Sequence, residues 1–339
     1  MCIIYDVSML LQSVQHYHRN KCYFLKLWGL RIAQMSDWMG NLSNDLKSQP
    51  ITSLAIPGTH NSAAYSLDDS RNLHPYAVSS FVRLLSSFPH LKTTFYRWSI
   101  TQNVSFTGQL LRGIRYFDLR VVVDDNDQHN FCHGLYGIAV KSGLEEIAQF
   151  LDSHSCEVVL LDFNHLYGYN TQKQHNELIA IIENTLGESR ILSVNCKDFS
   201  PVSLDYLANR RKQVIIFYHC TDAIERKAWM CHGHFCASFW PNSSVSHSII
   251  DYHDKQLNLV QGCLSTSRFH VTQLVLTPKY FDVVKNPRIG LHSFIGRANQ
   301  EFVFWLKTIQ ERKWKPNVVI MDFFDEIDFC ESVLQFNGL

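Results

Sequence analysis

Short apolar runs of strand length recur along the chain and alternate with stretches of helical periodicity. Residues 114–123, 157–163 and 317–323 are rich in β-branched, aromatic and other apolar side chains, as buried strands are. Five further runs complete the predicted strands, at 53–57, 131–135, 213–219, 235–240 and 271–276. Apolar residues at helical spacing predict helices at 143–153, 174–186, 298–310 and 327–336.

Strands that alternate with helices predict a parallel sheet. Eight strands favour an α/β fold of the (β/α)₈ TIM-like barrel type. The weak strand at 235–240 and the long connection before residue 114 favour a distorted or incompletely closed form. In such a barrel the active site lies at the carboxyl ends of the strands. The insertion at 65–107 is either a functional element at the barrel mouth or a helical excursion packed on the barrel.

Residues 35–339 are predicted to form the barrel, and residues 1–34 an N-terminal extension. Apolar residues mixed with Lys26 and Arg31 allow an amphipathic helix at 22–33, and a disordered extension is the alternative. No run reaches the ~18–20 apolar residues that span a bilayer. The N-terminus also lacks the basic region that opens a signal peptide. We therefore expect a cytoplasmic protein with transient peripheral membrane contact.

Composition narrows the classes of function further. The 31 Lys and Arg residues balance 31 Asp and Glu residues, so the chain lacks the basic excess of nucleic-acid-binding proteins. Its ten cysteines show no disulfide framework, which favours a reducing compartment. Two of them, with two histidines, lie within residues 231–236 and leave a zinc site open as an alternative, although their spacing matches no strong pattern.

Polar residues at the predicted strand ends carry the candidate chemistry. His60 follows the first strand, and His133 lies in the third. Histidine takes up or releases a proton near neutral pH, and two histidines on opposite sides of a phosphorus atom suit in-line transfer. For each histidine alone, a buried imidazole satisfied by hydrogen bonds is the structural alternative.

Asp118 and Arg120 share one face of the second strand, because successive side chains alternate. A guanidinium there can bind phosphate bidentately, and an internal salt bridge is the alternative. Asp322 ends the last strand, which neighbours the first strand in a closed barrel. Its carboxylate is therefore expected to hydrogen-bond His60 and fix the tautomer of that imidazole.

A second group of residues is predicted to bind the substrate. Asp162 and Asn164 share a face at the end of the fourth strand, where they can hold sugar hydroxyls, with helix capping as the alternative. Asp118 and Tyr218 complete the predicted substrate-binding set. Aromatic residues at 239–240 and within the 65–107 insertion are candidates for contact with lipid.

Four motifs stand in order along the chain: LAIPGTHNS (54–62), FTGQL (106–110), GIRYFDLR (113–120) and HGL (133–135). Together they resemble the X domain of phosphatidylinositol-specific phospholipase C, and in particular the stand-alone X-domain-containing proteins. VVLLDFNHLY (158–167), QLVLTP (273–278) and MDF (321–323) extend the resemblance over residues 35–337. It implies a (β/α)₈-like barrel that acts on phosphatidylinositol in membranes, cleaving the bond between diacylglycerol and the phosphoinositol headgroup, with roles in lipid degradation and signalling.

The resemblance also implies roles for single residues. His60 is similar to the general base that activates the inositol 2-hydroxyl, His133 to the general acid that protonates the diacylglycerol oxygen, and Asp322 to the carboxylate paired with the base. Calcium-dependent members carry acidic residues at both outer positions of the triplet at 118–120, whereas here the second is Arg120. This resembles the bacterial type, so a mechanism without calcium or another cofactor is expected.

Asn61 departs from the family pattern, because many members have Asp at this position. The resemblance implies that Asp would support proton transfer, so Asn61→Asp is expected to raise activity. Asn61 also keeps open a catalytically weak module that binds phosphoinositides or acts as a scaffold. A glycerophosphodiester phosphodiesterase is disfavoured, because it needs acidic metal ligands where Arg120 stands. The sequence indicates no particular protein partner.

Overall fold

The computed structural model describes residues 34–76, 89–193, 198–219, 227–231, 233–259 and 266–339. The strands are β1 (Ile56–Thr59), β2 (Tyr116–Val123), β3 (His129–His133), β4 (Leu135–Ala139), β5 (Val159–Tyr167), β6 (Val214–Tyr218), β7 (Met230–Cys231), β8 (Cys236–Phe239), β9 (Phe269–Leu274) and β10 (Val318–Met321). The helices are α1 (Asn44–Ser48), α2 (Pro89–Ser99), α3 (Phe106–Leu111), α4 (Val140–Ser153), α5 (Gln172–Leu186), α6 (Leu204–Asn209), α7 (Ser246–Leu259), α8 (Tyr280–Lys285), α9 (Leu291–Ile295), α10 (Ala298–Glu311) and α11 (Phe329–Leu334).

Eight strands form one parallel sheet in the order β7-β6-β5-β2-β1-β10-β9-β8. The first strand in sequence, β1, pairs with both β2 and the last strand, β10. Among the described residues β7 and β8 do not pair with each other, so the sheet curls without closing there. The predicted TIM-like barrel is confirmed, in its incompletely closed form.

One predicted barrel strand is wrong. Residues 131–135 belong to a hairpin of β3 and β4, in which β3 runs antiparallel to β2. Only five residues separate the end of β2 at Val123 from the start of β3 at His129. A parallel crossover needs a dozen or more residues, so this connection is too short for one. The eighth barrel strand is instead β7, whose two residues are too few to give a periodic signal.

The predicted helices at 143–153, 174–186 and 298–310 correspond to α4, α5 and α10. The one predicted at 327–336 is shorter, because α11 covers Phe329–Leu334 and a 3₁₀ turn follows it. From the 65–107 insertion, α2 packs on the barrel through the buried Trp98. Residues 81–85 and the predicted extension 1–34, apart from Gln34, lie outside the described residues. No described helix is long and apolar enough to cross a bilayer.

The barrel interior is apolar in its middle and polar at its carboxyl end. Tyr116, Leu160, Phe217 and Ile320 lie in one buried cluster inside the sheet, whereas Phe117 and its counterparts on the other strands pack outward against the helices. Because side chains alternate along a strand, the next inward position on each of these strands lies two residues further on. Those positions hold Asp118, Asp162, His219 and Asp322. The apolar layer therefore supports a polar ring.

The amino end of the barrel is closed by a fully buried ion pair. Arg115 Nη2 lies 2.6 Å from Glu157 Oε2, and neither side chain is exposed. Arg115 also donates to the carbonyl oxygens of Ser36, Leu110 and Ile114, while Glu157 accepts from the Gly40 amide. These contacts tie residues 36–40 to the strands, so the barrel domain includes them. Buried charges are tolerated when they are satisfied in this way.

Candidate active site

The carboxyl end of the sheet opens into a cavity of about 570 Å³. Of the predicted site residues, all but Asn61 and Tyr218 line it: His60, Asp118, Arg120, His133, Asp162, Asn164 and Asp322. His165, His219, Ser238, Trp240 and Gln273 also line it. The loops and strand ends of β1, β2, β5 and β10 therefore meet at one concave site, as the strand order requires.

His60 is held between a carboxylate and two donors. Its Nδ1 lies 2.7 Å from Asp322 Oδ1, while its Nε2 lies 3.3 Å from Arg120 Nη2 and 3.1 Å from Asn61 Nδ2. A guanidinium can only donate, so His60 Nε2 carries the lone pair and Nδ1–H donates to Asp322. Burial raises the pKa of Asp322, and the electrostatic attraction and hydrogen bond of His60 oppose that rise. The site thus presents His60 Nε2 as a proton acceptor.

Arg120 and Asp118 differ in how completely they are hydrogen-bonded. Asp118 accepts from the Asn61 amide at 2.9 Å and from Asn164 Nδ2. Burial acts to raise the pKa of Asp118, but Arg120 and His60, together with those hydrogen bonds, hold it below its ordinary value. Arg120 Nε, by contrast, finds no acceptor among the described residues. Asp118 is therefore a fixed anion, whereas the guanidinium keeps one buried N–H unpaired among the described residues.

His133 lines the same cavity as His60, and the two ring centroids lie 6.3 Å apart with their planes at 75°. His133 Nδ1 lies 2.7 Å from the Ser99 carbonyl oxygen, so Nδ1–H donates and Nε2 is the nitrogen that can exchange a proton. Burial, reinforced by the positive charge of Arg120 and by repulsion from His60 when both imidazoles are protonated, lowers the pKa of His133 to about 3. The free protein therefore holds His133 as a neutral imidazole near neutral pH.

Asn61 contacts His60 but does not line the cavity. Its side chain is buried, and Nδ2 donates to His60 Nε2, a bond that an aspartate cannot make. The backbone of Asn61 has φ +41°, in the left-handed region that asparagine tolerates better than most residues. The amide thus reinforces the tautomer of His60, a role that the sequence did not indicate.

The three candidate groups share a backbone feature. His60, His133 and Asp322 are each followed directly by a residue with positive φ: Asn61 (+41°), Gly134 (+73°) and Phe323 (+47°). For a non-glycine residue such as Phe323 this conformation is strained, and strained residues concentrate at functional sites. Gln102 supports the same region, because its amide donates to the carbonyl oxygens of His60 and Met321. Sequence patterns gave no signal for Gln102.

The floor of the cavity carries a hydrogen-bonded polar group centred on Asp162. Its Oδ2 accepts from the Tyr116 hydroxyl at 2.5 Å, and its Oδ1 lies 2.9 Å from His219 Nε2. Burial acts to lower the pKa of His219, but the hydrogen bond and charge of Asp162 raise it overall. Asn164 contacts both Asp118 and His165. This surface offers donors and acceptors at short range, which suits a polyhydroxylated ligand.

Tyr218, predicted to bind substrate, is not brought to the cavity. It is fully buried on the outer face of β6, where its hydroxyl lies 2.8 Å from His175 Nδ1 of α5. Because side chains alternate along β6, the neighbouring His219 takes the inward position instead. Because Phe217 points inward, alternation predicts that Tyr218 points outward and His219 inward. The sequence pattern therefore already favoured His219 over Tyr218. Cys231 and Cys236 are buried, and His232 lies outside the described residues, among which no metal-binding cluster is found.

With this geometry established, comparisons with known proteins place the chain. The family model "Phosphatidylinositol-specific phospholipase C, X domain" matches residues 89–220. PI-PLC X domain-containing protein 3 of Mus musculus is 35% identical over 316 residues, covering 90% of this chain and 94% of that protein. PI-PLC X domain-containing protein 2 of the same species is 34% identical over 308 residues, covering 90% and 88%.

Among solved structures, the phosphatidylinositol-specific phospholipase C from Listeria monocytogenes aligns with a TM-score of 0.64 at 17% identity, over 90% of this chain and 99% of that one. The chain therefore has the α/β barrel fold of which that structure is an example. Within that class, the chain belongs to the family of PI-PLC X domain-containing proteins.

Proposed function

We propose that the protein cleaves phosphatidylinositol to diacylglycerol and an inositol phosphate, cyclic in the first instance, by general acid/base catalysis. The observation that carries this proposal is the pair His60 and His133 on either side of a guanidinium with a free N–H. In-line displacement at phosphorus needs a base on the attacking side, an acid on the leaving side and positive charge at the phosphoryl oxygens.

In the first step, His60 Nε2 takes the proton from the inositol 2-hydroxyl as that oxygen attacks phosphorus. Asp322 stabilises the imidazolium that forms, through the Nδ1 hydrogen bond. The bond from phosphorus to the glycerol oxygen breaks, and that oxygen receives a proton from His133 Nε2. Since the free protein holds His133 neutral, the phosphate anion must first favour its protonated form by offsetting the charge of Arg120.

The headgroup is proposed to lie against Asp162, Asn164 and Asp118, whose oxygens and amides match sugar hydroxyls. Among the described lining residues Arg120 is the only arginine or lysine. One guanidinium matches one phosphodiester, which supports an inositol ring without further phosphates as the substrate. The same guanidinium supports a calcium-independent mechanism, because a fixed cation already faces the phosphate position.

Transient contact with the membrane is proposed through the rim of the cavity. Trp240, which lines the cavity, is 53% exposed, and Tyr280 and Phe281 of the neighbouring α8 are 70% and 61% exposed. Aromatic side chains of this kind favour the bilayer interface. Val283, also in α8, lines the cavity, so a membrane that meets this rim delivers lipid to the site. The buried thiols of Cys132, Cys236 and Cys330, which form no disulfide with a described residue, support a reducing, cytoplasmic setting.

A second candidate is a module that binds phosphoinositides with little turnover. The observation that favours it is the neutral state of His133, with the amide of Asn61 at the position where the family resemblance implies a carboxylate. Binding of the headgroup needs only the polar floor and Arg120, whereas turnover also needs a protonated His133.

The test is cleavage of phosphatidylinositol in mixed micelles with EGTA present, comparing wild type with His60→Ala. Release of diacylglycerol by wild type alone supports the proposed metal-independent enzyme. Activity that EGTA abolishes and calcium restores would contradict the role given to Arg120. A folded wild type that binds the micelles, yet releases nothing even with calcium, would favour the binding module.

A further inference from the structure

A second cavity, of about 250 Å³, adjoins the first and shares His133 with it, but is not lined by His60. His133, Arg120 and Trp98 line both cavities, so they form the partition between them. His60, Asp162 and Asp322 line only the first. The remaining described lining of the second cavity is largely apolar or aromatic: Leu73, His74, Phe95, Ser99, Gly134 and Tyr167.

Three polar groups on the walls of this second cavity have no partner. Trp98 Nε1, His74 Nδ1 and Arg120 Nε are buried and find no hydrogen bond among the described residues. Trp98 is 8% exposed and His74 is 1% exposed. Leaving a buried donor unsatisfied costs free energy, so such groups are rare unless a ligand completes them.

Other buried tryptophans show that this protein usually satisfies the indole N–H. Trp38 donates to the Gly113 carbonyl at 2.9 Å, Trp229 to Glu183 at 2.7 Å and Trp305 to Asp254 at 2.8 Å. Trp98 is also buried and packs in the core, yet its N–H has no acceptor among the described residues. The difference is that Trp98 lines the two cavities.

We propose that the second cavity is a leaving-group subsite, in which Trp98 Nε1–H donates to an ester carbonyl of the diacylglycerol part of the substrate. The inference rests on the proposed function, which puts the leaving oxygen beside His133. The glycerol attached to that oxygen must then lie on the His133 side of the phosphate. An apolar wall with isolated donors matches a glycerol ester, which has carbonyl acceptors and no donors of its own.

The size of the cavity limits what it can hold. A water molecule occupies about 30 Å³ in the liquid, so the volume corresponds to roughly eight waters. This accommodates the glycerol carbons with their ester groups, while the acyl chains must extend out of the cavity. Burial lowers the pKa of His74 to about 4, so its imidazole is neutral near pH 7 and adds no charge beside the ester. The subsite therefore selects ester-linked over ether-linked lipid.

The test compares a short-chain dihexanoyl phosphatidylinositol with its dihexyl ether analogue, in EGTA, for wild type, Trp98→Phe and Trp305→Phe. Wild type is expected to prefer the diester by about fivefold to tenfold in kcat/KM, which corresponds to one net hydrogen bond. In Trp98→Phe the ratio of kcat/KM for the diester to kcat/KM for the diether should fall. What remains is the ratio that the different leaving-group chemistry of the two lipids produces without the Trp98 hydrogen bond. Trp305→Phe, the matched control, keeps the wild-type preference although it loses its bond to Asp254.

Hydrolysis of inositol 1,2-cyclic phosphate provides the second readout, because this substrate has no leaving glycerol. Trp98→Phe is expected to retain it within about twofold, whereas a general disturbance of the site would lower both reactions equally. An unchanged ester preference in Trp98→Phe, or an equal loss on the cyclic phosphate, would overturn the subsite.

Failure of the proposed function remains distinguishable from failure of the subsite. If wild type turns over neither lipid, calorimetric binding of the diester and the diether to wild type and Trp98→Phe replaces the kinetic comparison. A diester preference in binding that disappears in Trp98→Phe supports the subsite in a non-catalytic protein. Equal affinities of wild type for the two lipids contradict it.

Discussion

Two arginines five positions apart, one directly before strand β2 and one within it, have opposite surroundings. Arg115 is fully buried at the amino end, and its guanidinium donates to Glu157 and to three backbone carbonyls. Arg120, near the cavity, contacts His60 through Nη2 at 3.3 Å and leaves Nε without an acceptor among the described residues. The same side chain is therefore saturated in one place and unsaturated in the other.

The contrast between Arg115 and Arg120 distinguishes a residue that stabilises the fold from one that serves the candidate site. A saturated guanidinium fixes the chain segments around it, whereas an unsaturated one is completed by a ligand. Most other buried polar atoms without a partner in the described part of the chain also lie near the cavities, among them atoms of Asn61, His74, Trp98, Gln102 and Asp322. Since an unpaired buried group lowers stability, their concentration here fits the polar ligand proposed for this site.

The largest effect is expected from breaking the saturated arginine. Arg115→Met should lower the free energy of unfolding by about 3–5 kcal/mol, because Glu157 is left buried without its counter-charge. Arg120→Met should lower it by less than Arg115→Met does, because Asp118 loses the nearby positive charge but keeps its hydrogen bonds from the Asn61 amide and Asn164. Urea denaturation of both variants measures the difference. If the two substitutions destabilised the protein equally, Arg115 and Arg120 would not differ in their contribution to stability.

Loss of either histidine should abolish most turnover while sparing the fold. His60→Ala and His133→Ala are each expected to lower kcat by at least about 10²-fold, the contribution of a general base or acid. His247→Ala, at a side chain that is 81% exposed, is the control and should keep wild-type rates. Full activity in His60→Ala or His133→Ala would refute the two-histidine mechanism.

Arg120→Lys tests the geometry of the unsaturated guanidinium rather than its charge. A lysine cannot present two parallel N–H groups to a phosphate, so kcat/KM is expected to fall by about 10-fold to 10²-fold. Thermal unfolding should show a fold as stable as wild type. Wild-type kcat/KM in this variant would show that charge alone suffices.

Much of this architecture could be predicted from the sequence, because buried strands and strand-end polar residues leave local signals. The pairs Asp322–His60 and Asp118–Arg120 follow from strand order and alternation alone. The hairpin β3–β4 and the two-residue β7 could not be predicted in this way. A short connection decides the direction of β3, and two residues are too few to show a periodic pattern. Trp98 and His74 join the site through tertiary packing of the 65–107 insertion, which no local pattern encodes.

Acidification should destabilise the protein through its buried neutral histidines. Burial lowers the pKa values of His74 and His253 to about 4, below the unfolded value near 6.5. The unfolded chain therefore binds more protons, so stability is retained above pH 6.5 and lost as pH falls from there toward 4. Each histidine contributes up to about 1.4 kcal/mol per pH unit in that window.

His253→Gln isolates one of these groups without touching the cavity. The unfolding free energy of this variant should depend less steeply on pH than that of wild type between pH 6.5 and 4.5. The two slopes should differ by no more than about 1.4 kcal/mol per pH unit. Identical slopes for the two proteins would show that His253 is not held neutral by the fold.

The smallest effect is expected from Asn61→Asp, and the geometry reverses the direction expected from the family pattern. Asn61 Nδ2 donates to His60 Nε2, whereas a carboxylate there would draw a proton onto that nitrogen and block the base. At neutral pH kcat/KM should fall by roughly threefold to tenfold, with Asn61→Gln as a control that keeps the amide. A rise in kcat/KM would show that a carboxylate assists His133 more than it hinders His60.

The central claim is a metal-independent phosphodiester cleavage that begins with attack by the inositol 2-hydroxyl. Phosphorus NMR of short-chain phosphatidylinositol with wild-type protein and EGTA tests it most directly. The account predicts that the resonance of inositol 1,2-cyclic phosphate appears first, that the monophosphate follows more slowly, and that neither forms with His60→Ala. Direct formation of the monophosphate, or no reaction from a folded wild-type protein, would contradict it.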